Sequence, residues 1–139
     1  MKTSFLFSLL IATTVFVSSC DPTGGTDSTT SQVVTSGSWR VTLFTDSGND
    51  ETSDFAGYTF TFNGNGILAA VKNGATINGN WNVNSSSNKF NIDLGPKIVS
   101  NKPLGELTDD WKILSTTETV IRLTDDNASS NEFLTFTKN

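Results

Sequence analysis

"YTFTFNGNGILAAVK", residues 58–72, is the stretch on which the fold turns. Tyr58, Phe60 and Phe62 alternate with two threonines, so a period of two places three rings on one face and the hydroxyls on the other. This is the pattern of a half-buried strand. Asn-Gly-Asn-Gly then interrupts it, and Asn-Gly steps accept the positive φ that tight hairpin turns require. "ILAAVK" returns as the partner strand.

The same alternation recurs on both sides. Upstream, "SWRVTLFT" (residues 38–45) sets Trp39, Val41 and Leu43 on one face and Arg40 and Thr42 on the other, before the polar loop "DSGNDETSD". Downstream, Asn73-Gly74 opens a strand over residues 75–83 in which Ile77, Trp81 and Val83 share a face. "KFNIDL" follows with Phe90, Ile92 and Leu94. Residues 95–110 break the pattern with Pro96 and Pro103, and "PLGELTDD" has room for one helical turn, so this stretch is expected to form a rim or lid. Strands over residues 111–115, 119–124 and 132–137 complete the chain.

Eight short strands in hairpin order leave two exposed edges as an open meander, and closure removes both. The expected fold is all-β: an eight-stranded antiparallel up-and-down barrel over residues 37–139. A barrel of this size is filled by its side chains or holds one small ligand.

Composition narrows the chemistry. The 139 residues contain one Cys and no His, which removes Cys/His zinc sites, disulfide frameworks and His-dependent nucleophile pairs. A formal charge of −5 disfavours nucleic acid and anionic headgroups as partners. Asp109-Asp110 and Asp125-Asp126 are the adjacent carboxylate pairs, but neighbours on a strand point to opposite faces, so neither is a general acid/base pair. The acidic loops lack the Gly and Glu spacing of an EF-hand, and "NGNG" joins two strands rather than opening a helix, which argues against a phosphate cradle. No catalytic residue, metal ligand or cofactor is expected. The aromatic set Tyr58, Phe60, Phe62, Trp81, Phe90 and Trp111 is either core or the lining of a pocket for an apolar or glycan ligand.

The single cysteine is placed where an apolar run ends. Residues 1–20 pass from Lys2 through an apolar stretch, residues 5–17, too short to span a bilayer, and read as a secretory signal. The segment ends Val17-Ser18-Ser19-Cys20, which resembles the bacterial lipobox. The resemblance makes Cys20 the lipidated first residue of the mature protein, anchored by acyl chains at about 0.8 kcal/mol per buried CH₂. Residues 21–36, "DPTGGTDSTTSQVVTS", have no periodic apolar pattern and read as a flexible linker.

Gly37-Ser38-Trp39 is similar to the G-x-W that opens lipocalins, where the tryptophan closes the barrel base. Arg122 in "VIRL" then corresponds to the family's late arginine, which packs across that tryptophan. A second G-x-W at Gly79-Asn80-Trp81 and the late run "WKIL…VIRL…FLTFTK", behind a lipobox, look like the small lipocalin-like lipoproteins of Bacteroidota. The chain is shorter than true lipocalins and lacks their T-D-Y motif and disulfide. The resemblance implies a lipid-anchored envelope lipoprotein, expected at the outer membrane. It would bind a small apolar or glycan ligand or serve as an accessory module. The alternative is a structural or protein-interaction subunit of an envelope complex with a packed barrel.

Overall fold

A computed structural model describes residues 26–139, with side-chain burial from Thr30 onward. The signal-like segment and Cys20 lie outside the described residues.

Among the described residues nine strands form one antiparallel sheet, and eight of them close into a barrel. β1 (Ser38–Asp46) continues into the two-residue β2 (Asn49–Asp50), which pairs only with the end of β1. The barrel then runs β3 (Thr59–Phe62), β4 (Ile67–Lys72), β5 (Ala75–Asn84), β6 (Lys89–Asp93), β7 (Asp109–Thr116), β8 (Val120–Thr124) and β9 (Phe133–Lys138). Each strand pairs with the next, and β9 closes on β1 from Trp39↔Lys138 to Thr45↔Phe133. The up-and-down barrel expected from alternation is therefore the observed fold, with most strand ends within a residue or two of those read from the sequence.

The 58–72 hairpin pairs Thr59↔Val71 through Phe62↔Leu68. At its far end Asn73 and Gly74 take φ of 53° and 81°, the paired positive values of a two-residue hairpin turn. Phe60, Phe62, Leu68 and Ala70 point inward and are buried.

Two expectations need correction. A strict period of two puts Leu43 on one face with Trp39 and Val41, yet it is 37% exposed while Phe44 is 1% exposed. A bulge causes the switch: the β1–β9 register shifts between Val41 and Leu43, so Thr42 and Leu43 both face out and the alternation resumes one residue later. The second correction concerns the linker. Thr26–Val34 forms a helix, α1, whose Thr30 and Val34 are buried. Val34 lies against the core cluster, so tertiary packing decides a segment whose own composition favours neither helix nor strand.

Antiparallel alternation sorts the connections to two ends. Residues 63–66, 85–88 and 117–119 lie at one end with α1; this is the base. Residues 47–58, 73–74, 94–108 and 125–132 lie at the other, the loop end. There, 3-10 turns at Thr52–Phe55 and Leu104–Leu107 bring Phe55, Leu104 and Leu107 into the core. The helical turn anticipated in "PLGELTDD" is the second of these.

Candidate functional site

The barrel interior is packed with aromatic rings. Phe62 meets Trp81, Phe90 and Phe136 edge-on, each with ring centroids 5.4 Å apart. Phe136 also meets Phe60 at 5.4 Å, and Trp81 stacks on Phe90 at 5.8 Å. Trp111 sits against Phe44 at 6.4 Å, its Nε1 donating to the Leu107 carbonyl at 2.9 Å. Such edge-to-face and stacked pairs add to the burial of the rings themselves.

The six aromatics offered as pocket lining thus have different locations. Phe62, Trp81 and Phe90 come together, Phe60 joins them through Phe136, and Trp111 belongs to the Phe44–Phe55 group. All five are buried in the core. Tyr58 stands at the loop end, half-buried, stacked on Phe60 at 6.0 Å with Lys72 Nζ 4.6 Å from its ring centre.

Trp39 closes the base, with a different cation from the one expected. It is fully buried, its Nε1 donates to the Val34 carbonyl at 2.8 Å, and so the end of α1 is pinned across the barrel mouth. Lys138, on the last strand, lies 5.7 Å from the Trp39 ring centre and donates to Ser36 Oγ at 2.8 Å. Arg122 points outward from β8 and is exposed, because Ile121 and Leu123 take the inward positions on either side of it. Lys138, not Arg122, supplies the late cation, and alternation on β8 is the reason.

Trp81, of the second G-x-W, donates from Nε1 to the Asn63 carbonyl at 2.9 Å and fixes the "NGNG" turn to β5. Two residues earlier, Gly79 lies so close to β6 that a Cβ there would run into the Asp93 carbonyl. Glycine is required at 79 for space.

Two surface features stand out beyond the core. One is an open groove of about 380 Å³ at the base, lined by Ser31, Gln32 and Thr35 of α1, Gly64 and Gly66 of the turn, and Trp81, Asn82 and Val83 of β5. Among these described lining residues none is charged. Sequence reasoning missed it because α1 was read as linker.

The other is the loop end, whose connections hold seven carboxylates, Glu51, Glu106 and Glu132 among them, against Lys97 and Lys102. In the connections at the base Glu118 is the single carboxylate. Lys97 pairs with Asp109 at 2.8 Å and Lys102 with Glu106 at 3.3 Å. Burial works to lower Lys97, but Asp109, Glu132 and Glu106 together hold it above the usual lysine value. Burial raises the Glu132 carboxyl, and Asp46 and Asp125 raise it further against the pull of Lys97. Below the rim, Lys89 bridges Asp110 at 3.2 Å and Asp126 at 2.7 Å, which joins one member of each carboxylate pair through a lysine rather than across a substrate. Among the described residues no group of three or more His, Cys, Asp and Glu is arranged to hold a metal ion.

Comparison with solved structures bears on the fold. The chain is similar to a DUF4847 family protein from Bacteroides vulgatus ATCC 8482, with a TM-score of 0.57 and 17% identity. The match covers 78% of this chain and 96% of that one. It shows a shared barrel architecture. No protein-family model matches the chain, and no curated protein matches it.

Proposed function

We propose that this chain is a lipid-anchored lipoprotein of the bacterial cell envelope, of the lipocalin-like type, that acts through its outer surface as a structural or protein-interaction subunit. The observation that carries this reading is the occupied interior: Phe60, Phe62, Phe90, Trp111 and Phe136 fill the space that a ligand-binding barrel leaves open. The anchor rests on Val17-Ser18-Ser19-Cys20. With α1 beginning at Thr26, the chain between Cys20 and the helix spans at most roughly 20 Å, so an acylated Cys20 holds the base close to the bilayer. The loop end then faces away from the membrane. The outer membrane is the location this reading assigns. Its partners are the membrane and an envelope protein, without nucleic acid or cofactor and with no enzymatic activity.

Fractionation and intact mass test it together. Wild-type chain should sediment with membranes and carry the mass of a diacylglyceryl-modified N-terminal cysteine, while Cys20→Ser should be released. Membrane retention of Cys20→Ser, or an unmodified thiol in the wild type, refutes the anchor.

The binding of a small apolar or glycan ligand is the second reading, and the groove beside α1 is the feature that favours it. Its lining, with Trp81 and Val83 beside the hydroxyl and amide groups of Ser31, Thr35, Gln32 and Asn82, and its volume suit one small neutral molecule. Native mass spectrometry of protein purified from its own envelope checks this: a retained ligand, lost on Gln32→Ala with Asn82→Ala, supports the groove, and ligand-free protein counts against it.

A further inference from the structure

The loop end offers an apolar tip inside an acidic rim. Val99 is 87% exposed and Ile98 beside it 52% exposed, in the longest connection of the barrel. The other exposed aliphatics sit differently. Leu43, Ile77 and Leu114, like the exposed ring of Phe133, lie on strands of the barrel wall, and none is as exposed as Val99.

The tip is held by its own supports. Asn101 Nδ2 donates to the carbonyls of Leu94 at 3.1 Å and Pro96 at 3.0 Å. Thr108 Oγ1 donates to the Gly95 carbonyl at 2.7 Å and accepts from Leu94 N at 2.9 Å. Leu104 and Leu107 anchor the far side in the core, and Gly105 packs against the Pro96 carbonyl with no room for a Cβ. A loop fixed in this way loses little conformational entropy on binding. An aliphatic pair presented on such a support is the kind of feature that anchors an interface.

Charge selects the occupant. The carboxylate surplus around the tip repels nucleic acid and anionic headgroups, and two such ends repel each other, which excludes a second copy docked end to end. We propose that the loop end, with Ile98 and Val99 at its tip, docks a protein partner that offers an apolar socket rimmed by lysine and arginine. The proposal rests on the reading that the chain works through its outer surface, and it names the part of that surface and the chemistry of the partner.

A site-specific photo-cross-linking residue tests it in the full chain in its native membranes, placed in turn at position 99, at position 78 on the outer wall of β5 and at position 32 in the base groove. The expected result is one discrete protein adduct at 99 that is absent at 78 and 32, with the cross-linked surface rich in Lys and Arg. That protein, purified, should bind Val99→Ser about tenfold more weakly than wild type. Its affinity should also fall between about 0.05 and about 0.3 M salt. Val99→Ser removes an exposed side chain, so an unchanged circular dichroism melt shows that the loss is not unfolding. No adduct at 99, an adduct there to lipid or to a second copy, or affinity indifferent to salt or to Val99→Ser overturns the proposal. Adducts at 78 or 32 without one at 99 overturn the loop-end site and leave the outer-surface reading standing. Absence of adducts at all three positions overturns both.

Discussion

At the base of the barrel, one helix is held across the mouth by a tryptophan that donates to the Val34 carbonyl and a lysine that lies over the same ring. At the loop end, closure comes from long connections whose apolar residues turn inward and whose carboxylates ring the outside. The base is small, carries a single carboxylate, Glu118, in its turns and is tied to the N-terminal segment that leads to Cys20. The opposite end is broad, acidic and tipped by exposed aliphatics. Closing a barrel therefore leaves its two ends free to diverge, and under the proposed reading the base is the end for attachment and the loop end the one for contact.

The largest effect should come from the base. Trp39→Ala removes a fully buried ring and the helix tie together and should cost about 3–5 kcal/mol by urea denaturation. Residues 26–36 should become protease-sensitive before the barrel does. Equal sensitivity of base and barrel would break the separation between the two ends. At the loop end, Gly105→Ala forces a Cβ toward the Pro96 carbonyl and should cost about 1–3 kcal/mol while moving the amide resonances of residues 95–108 more than those of the base.

Two smaller changes test which cation guards Trp39. Lys138→Ala should cost about 0.5–1 kcal/mol and alter the Trp39 indole environment. Arg122→Ala should stay within about 0.5 kcal/mol and leave that indole unchanged. The reverse order would restore the arginine to the role the resemblance gave it.

The smallest effect is electrostatic. Glu132 has its folded-state pKa raised above 4.5 by burial, so its contribution favours the fold below the ordinary glutamate range and is lost as pH rises through the raised value. Glu132→Gln should flatten this part of the pH–stability curve, with a gain within about 0.5 kcal/mol at neutral pH and none in acid. A loss at neutral pH would mean that the pull of Lys97 outweighs burial.

Most of the barrel was legible because alternation is a strong signal where one face is buried. The 58–72 hairpin, the Asn73-Gly74 turn and the inward rings all followed from a period of two and from turn chemistry. Two features were not legible for physical reasons. The bulge at Thr42–Leu43 is a register slip fixed by the partner strand, which no local pattern encodes. α1 is held by Val34 packing into a core cluster drawn from strands far apart in the chain, which again no local pattern encodes. The cation over Trp39 was assigned by analogy to Arg122, whereas β8 alternation already turns that residue outward. Of the surface features, the acidic loops were visible as composition, but their gathering at one end depends on strand direction. The groove was invisible while α1 was read as linker.

The packed interior is the claim on which the rest depends, and the three tryptophan indole protons report on it from the base, the Asn63 turn and the Leu107 rim. Two-dimensional NMR of the folded protein titrated with lauric acid is the direct measurement. The account predicts that the indole resonances of Trp39 and Trp111, which do not line the groove beside α1, stay in place throughout. A saturable, stoichiometric shift of these signals would show a barrel that opens to a ligand and would contradict it.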